Sequence, residues 1–187
     1  DLHSFPTRRS SDLVACITTN KGKSEWTEPQ LFTIGLLGET KWSGTWIGLE
    51  DLQPGEQKGM HTRLAARYIR KDFAAKGKVK RAVAYVAGLG VYEFYVNGQR
   101  MDYRKTIYYN TFDVTSLLTE KNAIAIKLGN GRMFPMRLEK AYKTPFFGYP
   151  KCRINGKVEY ENGKTETWAT NNTWKLSFDG PIRSNNE

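Results

Sequence analysis

Residues 79–131 constrain this chain most, because they string VKRAVAYVAGLGVYEFYVNGQRM, TFDVTSLL and NAIAIKLGNG between glycine turns. Val79, Arg81, Val83 and Tyr85 alternate with Lys80, Ala82, Ala84 and Val86, the two-residue period of a half-buried strand. Gly88, Leu89 and Gly90 then turn the chain, and residues 91–96 (VYEFYV) are aromatic and β-branched. Asn97 and Gly98 come next, and both tolerate the positive φ of a tight hairpin turn. Short strands joined by such turns point to an all-β sandwich.

The remainder of the chain supports that class. A length of 187 residues suffices for one good core, or one domain and a fragment of another. No stretch sustains an apolar helical stripe beyond two turns, and no run of about 18 apolar residues could form a membrane span. Residues 66–73 (ARYIRKDF) predict a strand with Tyr68, Arg70 and Asp72 on one face, preceded by a disorder-prone stretch over 49–64. Residues 106–112 carry a Tyr pair, and residues 113–118 (DVTSLL) predict a turn or single helical turn with Asp113 placed to cap it. Residues 123–128 alternate again. Asn162 and Gly163 close a second hairpin between 157–160 and 165–169, and Trp174, Lys175 and Leu176 read as one more strand before an end that looks cut.

The N-terminal flank is different in kind. Residues 1–13, DLHSFPTRRSSDL, lack the apolar core of a signal peptide, and their reverse translation yields DNA similar to a widely used sequencing adapter. They are expected to be a disordered read-assembly artefact, with the natural N-terminus missing. Residues 14–38 read as the closing hairpin of a small sandwich module, with a turn at Asn20-Lys21-Gly22-Lys23 and a Trp-Thr-Glu-Pro corner. A linker over 39–45 leads to the main domain, 46–187. Trp42 and Trp46 are expected to pack at a domain junction, with an aromatic ligand site as the alternative.

A net charge of +10 raises the question of nucleic acid or other polyanions. The lysines are spread, and Lys76, Lys78 and Lys80 fall at every second position, as on a solvated strand face. No RNP, KH or zinc-finger spacing is present, so no nucleic-acid partner is expected. Cys16 and Cys152 have neither a CxxC partner nor a His at metal-ligand spacing; they read as free thiols, and no structural zinc site is expected. Glu159 and Glu161, or Glu139, invite a catalytic assignment, yet alternate carboxylates on an exposed strand are usually solvated. No catalytic residue is assigned.

WTEPQLFTIGLL, KWSGTWIG, ARYIRKDF, the 79–131 motifs and TWKLSFDGPI, in this order and spacing, resemble the N-terminal region of bacterial α-L-rhamnosidases. The combination GLGxYExYxNG, DVTxLL and LGNG carries the resemblance. It implies that residues 14–38 end a fibronectin type III-like module and that 46–187 form a sandwich similar to a jelly roll of the galactose-binding type. It implies a parent enzyme that releases terminal α-L-rhamnosyl groups from plant glycosides or polysaccharides with inversion. Inversion uses two carboxylates about 6.5–9.5 Å apart, which in the family sit on a downstream (α/α)6 barrel absent from this sequence. The expected role is thus a non-catalytic accessory region, periplasmic or secreted, with rhamnose-containing glycans and the downstream catalytic domain as partners. An autonomous calcium-dependent rhamnose-binding module is the alternative. In the family a calcium ion would take oxygens from the loop after the NG hairpin and the loop after LGNG. The matching positions are Asn130 and Pro135, while a shortened first loop leaves Asp102 as its one carboxylate. Otherwise Gly129, Asn130 and Gly131 form a positive-φ turn. A third reading is a basic polyanion-binding sandwich, whose affinity would fall steeply with salt.

Overall fold

Alternating segments become strands throughout a computed structural model of the chain, which describes residues 10–33, 35–36, 42–57, 63–104, 108–134 and 147–184. The chain divides into two units, Asp1–Lys41 and Trp42–Glu187. In the first, β1 (Ser10–Leu13) pairs antiparallel with β4 (Gln30–Thr33), and β2 (Thr18–Thr19) forms a hairpin with β3 (Gly22–Lys23). Residues 10–13, expected to be disordered, therefore carry a regular ladder. Backbone pairing needs only an extended partner with free N–H and C=O groups, and β4 supplies one.

The second unit is a sandwich. Its first sheet holds β10 (Asn110–Asp113), β7 (Val79–Leu89), β12 (Lys151–Tyr160) and β13 (Thr165–Ala169) in that order, with β5 (Ile47–Gly48) also on β12. Its second sheet has the order β14 (Lys175–Ser177), β6 (Arg67–Ala74), β11 (Lys121–Gly129), β8 (Val91–Val96) and β9 (Gln99–Arg104). All of these pairings are antiparallel. Successive strands switch sheets repeatedly, so residues distant in sequence meet in one core. Ala84, Val86, Ile154 and Val158 from the first sheet face Ile69, Phe94, Ile124, Ile126 and Leu128 from the second. Phe94 and Phe112 join the layers with ring centroids 5.1 Å apart. Each large side chain buried here contributes about 1.5–3 kcal/mol.

The hairpin turns follow the sequence. Asn97 (φ 50°) and Gly98 (φ 81°) connect β8 to β9. Asn97 also accepts the N–H of Ala123 at 2.8 Å and donates to the carbonyl of Leu117 at 2.7 Å, tying the turn to β11. Asp113 accepts the Thr115 N–H at 2.9 Å before the 3-10 turn Thr115–Leu117, one residue outside the cap position, which Val114 occupies.

Two further expectations change. β7 is buried on both faces over residues 82–88, not half-buried. Its outward Tyr85 stacks edge-on against Tyr109, which meets Trp42 in turn, and the Arg153 guanidinium lies 5.0 Å from the centre of the Trp42 ring. The Gly44 N–H donates to Asn155 Oδ1 at 2.8 Å, pinning residues 42–45 across the outside of this sheet. Trp42 thus packs on the sandwich itself, and Trp46 is 40% exposed. The second change concerns the stretch expected to be disorder-prone, which holds a buried ion pair. Glu56 accepts from both terminal nitrogens of Arg67, the Nη2 bond being 2.9 Å, and from the N–H groups of Gln53 (2.8 Å) and Ala65 (2.9 Å).

Candidate functional site

One end of the sandwich is built by the LGNG turn and by Gly90, which precedes β8. Gly131 sits at φ 48° and Gly90 at φ 128°, where a Cβ on Gly90 would run into the Gly129 carbonyl. The Asn130 carbonyl accepts the Met133 N–H at 3.1 Å, and the buried Phe134 packs on Tyr149 with centroids 5.0 Å apart. Beside this turn lies a depression of about 210 Å³ lined by Glu50, Leu89, Met133, Phe147, Tyr149 and Lys151. Glu50 pairs with Lys151 at its mouth.

Asn130 is buried at this end. Asp102 lies in β9, opposite Phe94, which pairs with Ile126. Four residues along β11 and two strands across place its Cα roughly 16 Å from that of Asn130 at ordinary strand spacings. Pro135 falls outside the described residues. Calcium needs several oxygens within about 2.6 Å of the ion, and of the three expected positions the structure places the backbones of Asp102 and Asn130. Among the described residues no three His, Cys, Asp or Glu side chains converge.

A larger cleft, about 480 Å³, opens on the outer face of the second sheet. Register sets its construction. One cross-strand row runs Ser177, Tyr68, Lys127 and Glu93; the next runs Lys175, Arg70, Ala125 and Tyr95. The small Ala125 leaves the floor low between longer neighbours. Tyr95 is held by its hydroxyl, which donates to Glu93 at 2.6 Å, with Lys127 Nζ 5.7 Å from its ring centre. Tyr68 is held by Gly180, where a Cβ would overlap the ring, and its hydroxyl accepts the Ile182 N–H at 3.4 Å. The hydrogen bond from Lys127, then that from Tyr95, keeps the Glu93 carboxyl below the usual range, while the bond to Glu93 raises the Lys127 ammonium. Sequence pattern placed Tyr68, Arg70 and Asp72 on one face of β6; it carried no signal that Ala125, Tyr95 and Lys175 would join them.

Three further glutamates pair with lysines. Glu159 pairs with Lys157, Glu161 with Lys78 at 2.8 Å, and Glu166 with Lys76 and the Tyr160 hydroxyl. A bond from Lys157 lowers the Glu159 carboxyl, and one from Lys76 lowers that of Glu166. Glu139 falls outside the described residues.

Residues 77–187 match the α-L-rhamnosidase N-terminal domain family. An α-L-rhamnosidase from Formosa agariphila is 31% identical over 194 residues, covering 88% of this chain and 20% of that protein. The solved α-L-rhamnosidase from Dictyoglomus thermophilum superposes with a TM-score of 0.72 at 32% identity, covering 89% of this chain and 20% of that one. A lectin from Pleurotus ostreatus shares the fold at a TM-score of 0.56 and 22% identity, over 75% of this chain and 36% of the lectin. The chain spans about a fifth of the length of the rhamnosidases it matches. Motif order, sandwich topology and these similarities together place the chain in the α-L-rhamnosidase N-terminal domain family.

Proposed function

We propose that this chain is a non-catalytic accessory region of an α-L-rhamnosidase that acts on terminal α-L-rhamnosides, supporting a downstream catalytic domain and its rhamnose-containing glycan. The carrying observation is the match of residues 77–187 to an α-L-rhamnosidase N-terminal domain, in a chain that spans about a fifth of the rhamnosidases it matches. A glycosidase needs one carboxylic acid held protonated near neutral pH, opposite a second carboxylate. Glu56, Glu93, Glu159 and Glu166 are all displaced downward, each beside a lysine or arginine. None of them suits proton donation to a leaving group. What the fold offers instead is rigid surface: two stacked sheets, a loop end and an open cleft.

Hydrolysis of an aryl α-L-rhamnoside tests this directly. The chain alone is expected to release no aryl alcohol above the protein-free blank, whereas the parent reading frame, extended through its downstream domain, is expected to do so. Turnover by the isolated chain would sink the proposal. Among the described residues no helix is long and apolar enough to cross a membrane.

A further inference from the structure

The cleft on the second sheet combines features that the accessory role leaves unexplained. It is bounded by two tyrosines that are fixed in place before any ligand arrives, Tyr95 through Glu93 and Tyr68 through Gly180 and Ile182. Such prior fixing lowers the ordering cost of binding. Its volume of about 480 Å³ lies within the roughly 300–1,000 Å³ of small-ligand sites. The floor at Ala125 is apolar, and three cations stand around it: Arg70, Lys127 and Lys175.

These cations are not equivalent. Arg70 shares its charge with Asp72 at 2.8 Å, and Lys127 shares its own with Glu93. Lys175 lies in the same cross-strand row as Arg70 and Ala125, and among the described residues no carboxylate stands within ion-pair distance of it. Among the described residues, that side of the cleft carries positive charge without a paired carboxylate, on a chain whose net charge is +10. An aromatic face is negative and suits the C–H surface of a sugar ring, while an ammonium beside it suits an anion.

We propose that this cleft binds an acidic saccharide, with a sugar ring over Ala125 between Tyr95 and Tyr68 and its carboxylate directed to Lys175 and Arg70. This deepens the accessory reading by naming a ligand class, and it is tested by binding, without turnover. A neutral sugar would leave the lysine side of the cleft unused.

Affinity electrophoresis of the whole chain separates the possibilities, using gels that contain polygalacturonate or its neutral methyl ester. Polygalacturonate is expected to retard the chain, the methyl ester not to, and retardation is expected to weaken as salt screens the charges. Ala125→Trp, which fills the cleft from a solvent-facing position, is expected to weaken binding more than about tenfold, a loss of at least one decade in Kd. Lys175→Glu should weaken it about fivefold, as for an exposed charge contact. Tyr95→Ala removes one wall and serves if Ala125→Trp fails to melt cooperatively. Lys21→Glu in the other unit has the same change in net charge as Lys175→Glu and should bind as the parent does. Equal retardation of Ala125→Trp or Tyr95→Ala and the parent would overturn the site, as would equal retention by the methyl ester, equal loss in Lys21→Glu and Lys175→Glu, or no retardation at all.

Discussion

Removing Glu56 should damage the sandwich more than any exposed charge can. Its carboxylate and the Arg67 guanidinium are almost entirely shielded, with side-chain exposures of 3% and 1%. Glu56→Ala strips Arg67 of its counter-ion and leaves the N–H groups of Gln53 and Ala65 without their acceptor. Arg67 keeps the Ala65 carbonyl at 3.1 Å, yet its Nε finds no acceptor among the described residues. Breaking a buried pair from one side costs about 3–5 kcal/mol, because the surviving charge stays buried. For a chain of this size each kcal/mol lowers Tm by about 2–4 °C, so the drop should be roughly 6–20 °C. Urea unfolding gives the free energy through the midpoint and slope. The double variant Glu56→Ala/Arg67→Met should recover part of the loss, since it removes the stranded charge. A loss below about 1 kcal/mol, the range of a surface pair, would refute the reasoning, and so would a double variant no more stable than Glu56→Ala. The pH dependence has a definite sign. Burial pushes the Glu56 carboxyl up, but the Arg67 hydrogen bond, the two backbone N–H groups and the Arg67 charge outweigh it and hold it below its usual range. A depressed carboxylate stabilises above its unfolded value of about 4.3, and that contribution is lost as pH falls through the lower folded value. The gap in urea midpoint between the parent and Glu56→Ala should therefore be full at pH 6 and shrink below about pH 4.

Gly156→Ala should lower stability by about 1–3 kcal/mol through overpacking, because its Cβ would fall within the Trp168 indole, which stacks on Phe73 at 5.7 Å; a thermal melt suffices to detect it. Asn97→Ala should cost about 2–3 kcal/mol, from lost hydrogen bonds and an unfavourable positive φ, and Asn97→Gly should retain the conformational part and lose only the bonds. Cys152 is fully buried and its thiol is pushed well up by desolvation, so a thiol reagent should label Cys16 in the native chain and reach Cys152 only on unfolding.

Local patterns in the sequence were enough to define most strands of the sandwich, both NG hairpin turns and the family, but not β1, β5 or the first half of β12. Alternation along residues 91–96 and 123–128 and the positive-φ tolerance of Asn97-Gly98 are properties of neighbouring residues, and sterics act on them wherever the chain goes. What covers each strand is not local. The outer face of β7 is closed by Trp42 and Tyr109, which belong to segments on either side of it in sequence, so its alternation promised an exposed face that the fold does not leave. Glu56 lies in a polar stretch with no periodicity, and only the return of β6 brings Arg67 against it. The cleft is a matter of register: Tyr68, Ala125, Tyr95 and Lys175 share one patch because four strands pair in a particular alignment, and a one-residue slip would send each strand's set to the opposite face. The sequence settled most of where the sandwich extends and turns, while pairing between distant strands settled which side chains meet, because register is chosen by the burial of the whole core and not by any segment within it.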